Sequence, residues 1–159
     1  MSDYSDGDSL PSWHDNLIYG MHWRCAEPDR GLWRSELVFD IDHILDWVPS
    51  GERCFKFLMA PAILVFHDAG DLKMCLDSSG RDGYRRYLNE LSIHHIDRHP
   101  VADPPGGFRW RIDLNAPAGG RITFDASRYS QVYTAPSRLC DEQRFPSEHR
   151  PPFTLAALP

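Results

Sequence analysis

The chain has 159 residues, of which 42% are hydrophobic and 25% charged, a balance that suits one soluble globular domain able to bury a core without staples. Its net charge of −6 offers no cationic field to a polyphosphate backbone, and the arginines lie scattered among acids, so nucleic acid is not expected as a partner. The longest apolar run falls well short of the ~20 residues a membrane helix needs, and "MSDYSDGDSLPSW" lacks the basic-then-apolar order of a signal peptide, so a cytoplasmic protein with no membrane partner is expected.

Residues 1–12 hold Asp3, Asp6 and Asp8 among Ser, Gly and Pro and read as a disordered acidic leader. From Asn16 the period becomes two. In "NLIYGMHWR", Leu17, Tyr19, Met21 and Trp23 share one face of an expected strand. "CAEPDRG" supplies turn chemistry, and "ELVFDIDHILDWV" (36–48) then alternates, with Ile44 and Val48 interrupting its polar face so that part of it can be covered; the two segments read as a hairpin. "PSGER" turns the chain into "CFKFLMAPAILVFHD", where Pro61 suggests an edge strand, a bulge or two short strands. A strand follows through Leu72, Met74 and Leu76, then the loop-like "DSSGRDG".

"YRRYLNELSIHHIDRHP" is ambiguous. Tyr84, Tyr87, Leu88 and Leu91 have the spacing of one helix face, whereas a strand competes beyond Leu91, so residues 84–99 stay open between helix and strand. "FRWRIDLN" and "RITFD" form a hairpin with Phe108, Trp110, Ile112 and Leu114 inward. "YSQVYT" adds a strand and "SRLCDEQRF" a short helix. "PSEHRPPFTLAALP" carries too many prolines for a regular element and reads as a tail with little structure. The expected fold is mainly β: a single-domain antiparallel sandwich or barrel with one or two short helices over 13–145, between the leader 1–12 and a Pro-rich tail 146–159.

Four cysteines, Cys25, Cys54, Cys75 and Cys140, include no C-x-x-C pair, which speaks against a zinc knuckle; free, mostly buried thiols are expected.

Three stretches bear on chemistry. In "DIDH", Asp40 and Asp42 would point to one face of a strand about 6.6–7 Å apart, close enough to share a divalent cation or hold a ligand. The plainer reading makes them the wet face of an antiparallel strand, with His43 on the other side. In "HHIDRHP", His95 and His99 would jointly hold a metal if helical, but would lie ~13 Å apart if extended. In "VFHDAGD", His67 and Asp68 resemble a base with its orienter, yet neighbours on a strand face opposite ways and a turn explains them better. Arg109 and Arg111, with Asp113 and Asn115 beyond them, form a polar strand face suited to an acidic partner or ligand, or laced by salt bridges to Asp125 and Arg121 across the hairpin. Neither a G-x-S-x-G elbow nor a Cys–His pairing is present.

"WHDNLIYGMHW", "ELVFDIDHILDW" and "WRIDLNAPAGGRITFDASRY" together resemble small bacterial β-rich proteins of uncharacterised families, some of them toxin-associated immunity proteins. The likeness spans about residues 13 to 135 and transfers no active residue. It implies a bacterial binding or interaction protein. The well-patterned β core, beside the lack of a geometrically coherent catalytic set, makes a non-enzymatic protein that takes a protein or small-molecule ligand and needs no cofactor the expected reading. The alternative is a metal-binding β-protein or metal-dependent hydrolase that uses His95 and His99 with a divalent metal.

Overall fold

Strands form wherever the period is two. In the computed structural model, which describes residues 2–3, 10–31, 33–79, 88, 90–102 and 107–154, they are β1 (Ser2–Asp3), β2 (Leu17–Arg24), β3 (Glu36–Gly51), β4 (Cys54–His67), β5 (Gly70–Cys75), β6 (Leu91–Val101), β7 (Gly107–Ala116), β8 (Arg121–Ala126), β9 (Arg128–Tyr133) and β10 (Arg138–Cys140). They make one antiparallel sheet in the order β1-β9-β4-β3-β2-β6-β7-β8-β5, with β10 on the near half of β4.

Two corners fold this sheet over. β4 runs into β5 across Asp68 and Ala69, and β8 runs into β9 through Ser127; the Ser127 N–H donates to the His67 carbonyl at 2.9 Å and binds the corners together. Each half presents an apolar face to the other. Leu37, Phe39, Ile41, Leu64 and Phe66 from β3 and β4 meet Ile96, Trp110, Ile112, Ile122 and Phe124 from β6, β7 and β8 in one core.

The mainly β, antiparallel architecture is as expected, but the details differ. The strand path has two ends, β1 and β5, so no closed barrel is seen among the described residues. In place of the short helices those residues hold only 3-10 turns, Pro28–Arg30 and Ser147–His149. "SRLCDEQRF" is no helix: Arg138–Cys140 pair with Phe57–Met59, because the first half of β4 offers an open edge and Cys140 buries against Ile44, Met59 and Phe145. Most of the helical reading of 84–91 lies outside the described residues, and from Leu91 the chain is strand. Of the expected leader, Ser2–Asp3 pair with β9 and Leu10 packs on the core; residues 1 and 4–9 lie outside the described residues.

Pro61 sits inside one continuous strand of 14 residues, neither at an edge nor at a break. Its carbonyl accepts the Thr134 N–H at 2.9 Å, so its nitrogen faces the same side, where β9 pairs residues 62–67 and β10 pairs 57–59. The missing donor falls between two partners and costs no ladder bond. All four cysteines are free, yet Cys25, Cys54 and Cys75 are exposed and only Cys140 is buried. Cys54 and Cys75 terminate strands, where no second layer covers them.

A second apolar layer lies outside the first. Val38, Ile63 and Val65 point away from the main core and are covered by Phe153, whose ring also stacks on His22 at 4.3 Å. β3 is therefore buried on both faces from Glu36 to Ile44, and the tail expected to have little structure is bound along its outer side.

A polar network closes the opposite end of the core. The Trp13 indole donates to Gln131 Oε1, and Gln131 Nε2 donates to His43 Nδ1, each at 2.8 Å. Burial holds the His43 imidazole below the ordinary 6.5, with the Gln131 bond opposing. The unfolded chain therefore takes up this proton first on acidification, so stability should fall as pH drops below about 6.5. Urea unfolding across that range should show a shallower pH slope in His43→Leu than in the wild type.

Candidate functional site

The seam between the sheet halves is a short pairing. β2 and β6 share only two register pairs, Leu17↔Ser92 and Ile18↔Leu91. Register shifts in β6 around Ile93 put Ser92 and Ile93 inward in succession and His94 and His95 outward in succession, as bulges do. Just before β2 the chain kinks at Asp15, whose φ of 61° is a left-handed conformation that Asp tolerates better than most residues. The Asp15 N–H donates to the Ile93 carbonyl at 2.8 Å and the Ile93 N–H to the Asn16 carbonyl at 3.0 Å, so the kink is tied to the seam.

The result is a groove of about 650 Å³ lined by His14, Asp15, Leu17, Glu90, Ser92, His94, Asn115 and the strip Glu142–Arg144. Its carboxylate at Asp15 is held in place: Asn115 Nδ2 donates at 2.6 Å and Gln143 Nε2 at 3.2 Å. His14 Nε2 lies 3.5 Å from Asp15 Oδ2, and His14 Nδ1 is 2.7 Å from the His94 carbonyl. A carbonyl only accepts, so Nδ1 carries a proton. A smaller hollow of about 320 Å³ shares Leu17, Glu90 and Arg144 and adds Ile18, Tyr19, Leu88 and Leu91. A polar, net acidic groove thus runs on to an apolar shelf.

The residues singled out from sequence lie elsewhere. Asp40 and Asp42 do share a face, but it is not wet: Asp42 is 0% exposed. Arg150, reaching back from the tail, donates through Nη1 to Asp42 and through Nη2 to Asp40. Tyr19 donates to Asp42 Oδ2 at 2.8 Å, the Phe145 N–H at 2.9 Å, and the guanidinium lies 4.0 Å over the Tyr19 ring. Burial first, and the Asp42 bond next, push the Tyr19 phenol up to about 12. Both carboxylates are occupied by the chain itself, which leaves no place there for a cation or ligand.

His95 and His99 lie on strand β6, opposite Asp113 and Arg109, so their Cα atoms are ~13 Å apart and one ion cannot bridge them. The helical spacing that a shared metal needs is not formed. Among the described residues no group of three or more His, Cys, Asp or Glu is arranged to hold a metal. Arg109 forms a fork with Asp125 at 2.6 and 2.8 Å, and Asp113 accepts from Arg111 at 2.8 Å and Arg121 at 2.9 Å. Arg109–Asp125 and Asp113–Arg121 are the cross-hairpin lacing weighed above, while Arg111–Asp113 runs along β7, and together they spend these cations internally.

Sequence reading passed over His14, Asp15, Ser92 and Glu142, which are dispersed over the chain. Only the "HDN" turn before β2 carried a local signal, with its short polar residues able to adopt a left-handed kink. No family model matches the chain, and no curated protein or solved structure matches it either. The described residues define a small mainly β protein, and none of their helices is long and apolar enough to cross a membrane.

Proposed function

We propose that the chain is a small cytosolic bacterial binding or interaction protein, without enzymatic activity, that holds a basic segment of a protein partner in the seam groove. One observation carries this reading. Asp15, Glu90 and Glu142 line the groove against a single guanidinium, that of Arg144, and the Asp15 carboxylate is fixed by two amides in a kinked backbone. Pre-oriented acceptors beside an apolar shelf suit a cationic side chain followed by an apolar one. The net charge of −6 steers such a partner inward.

Calorimetric titration with acetyl-Arg-Leu-Arg-Leu-amide tests it. Binding is expected to weaken with added salt and to weaken a few-fold in both Asp15→Asn and Glu142→Gln, as partly exposed ion pairs do, while a Glu-Leu-Glu-Leu analogue should not bind. No heat at millimolar peptide, or binding indifferent to salt and to both variants, would remove this reading.

A further inference from the structure

His67 stands beside Asp68 in sequence, but its ring is bonded to other strands. Its Nδ1 lies 2.9 Å from Glu36 Oε1, and its Nε2 lies 2.8 Å from Ser130 Oγ. Glu36 Oε2 in turn faces Arg24 Nη1 at 3.0 Å. The four residues come from β9, β4, β3 and β2, four consecutive strands of the sheet, and form one line across its outer face. Register places them there: Glu36 is opposite both His67 and Arg24, and Ser130 is opposite Val65, two residues along β4 from His67.

The polarity of this line follows from its ends. A carboxylate only accepts, so the proton between Glu36 and His67 sits on Nδ1, and in the neutral imidazole the Nε2 lone pair accepts the Ser130 hydroxyl. A serine donating to an imidazole whose far nitrogen is oriented by an acid is the arrangement that activates a nucleophile. The face is partly roofed, since Phe153 packs on Val65 and its neighbours and Ser130 itself is fully buried. The two-residue β1, paired with Ser130 through Asp3, borders it at the sheet edge. The route for a small reagent to Ser130 is local opening of the edge strand β1, which pairs with β9 at only two positions.

We propose that Ser130 is a base-activated nucleophile that takes acyl or phosphonyl groups from small electrophiles. With a phosphonyl fluoride, the Oγ–P bond forms as the P–F bond breaks. Fluoride leaves with the bonding pair, and the Ser130 proton passes to His67 Nε2 and then to solvent. With an activated ester the Oγ–acyl bond forms, the leaving alkoxide takes that proton, and Ser130 is left acylated. Glu36 and Arg24 are positioning residues that hold the imidazole. This inference stands on a different face from the groove and does not depend on it.

The test is intact-mass and peptide mapping of the full chain after incubation with a small alkyl phosphonyl fluoride. One adduct on Ser130 is expected in the folded wild type and none in Ser130→Ala. Labelling should be at least about 100-fold slower in His67→Gln, the lower range of general-base contributions, and should vanish when the wild type is unfolded in urea. Circular dichroism and a melting curve establish that each variant is folded. The wild type alone decides if a variant is not: absence of a Ser130 adduct on the folded wild type overturns the proposal. Equal labelling of folded His67→Gln, or of the urea-unfolded chain, overturns it as well.

Discussion

Arg150→Ala should destabilise the protein by about 3–5 kcal/mol, the cost of leaving a buried charge without its partner. Asp42 is fully buried and Asp40 half-buried. The Arg150 guanidinium bridges the two, covers the Tyr19 ring, and holds the tail against β3. Lys should substitute poorly, because a single ammonium cannot fork across two carboxylates and stack on a ring. Asp42→Asn added to Arg150→Ala should recover part of the loss, since an amide needs no counter-charge.

The deficit of Arg150→Ala also carries a pH signature. Burial pushes the Asp40 carboxyl above its ordinary 3.8, and Arg150 opposes that push. Without Arg150 the folded-state value rises further above the unfolded one. Stability tied to the protonated form is then present below the ordinary value and lost as pH rises through the raised one. Urea unfolding should therefore find the gap between variant and wild type narrowing as pH falls toward 4. A variant within about 1 kcal/mol of wild type at neutral pH, the range of an exposed pair, would show that the tail is not pinned in this way.

Phe66→Ala should cost a similar amount, about 3–5 kcal/mol. Phe66 lies on central strand β4 and is 0% exposed. Its ring meets Phe124 at 4.7 Å and Trp110 at 4.8 Å, both edge-on, and Phe39 at 5.9 Å. These rings come from β8, β7 and β3, so the one side chain joins both halves of the folded sheet. Truncation removes the transfer energy and leaves a cavity that stiff strands on both sides cannot close. Phe66→Leu should cost clearly less. A lower urea midpoint with an unchanged slope is expected for both.

Strands with one partner face were legible in the sequence and the rest was not. "FRWRIDLN" and "RITFD" alternate cleanly because β7 and β8 bury one face and wet the other, and their charged lacing follows from direct register. "DIDH" misleads for the opposite reason. Its alternation is real, but the face carrying Asp40 and Asp42 is covered by Arg150, more than a hundred residues away, in a tail whose prolines suggested looseness. Ile44 and Val48, which interrupt the polar positions of that stretch, were the local hint that it is not wholly wet. His67 was noticed beside Asp68, yet the groups that bind its ring arrive through strand register, which alternation does not specify. The groove was illegible too, because it arises where pairing stops: β2 and β6 part after two residues, and no pattern of hydrophobicity marks that point.

The most direct test of the seam groove as the binding site is an amide NMR titration of labelled protein with acetyl-Arg-Leu-Arg-Leu-amide. Saturable shifts clustered at Asp15, Leu17, Ser92, Asn115 and Gln143 are the expected result. Shifts centred elsewhere, such as on the exposed Trp47 and Phe55 of the β3–β4 hairpin, or none at millimolar peptide, would contradict it.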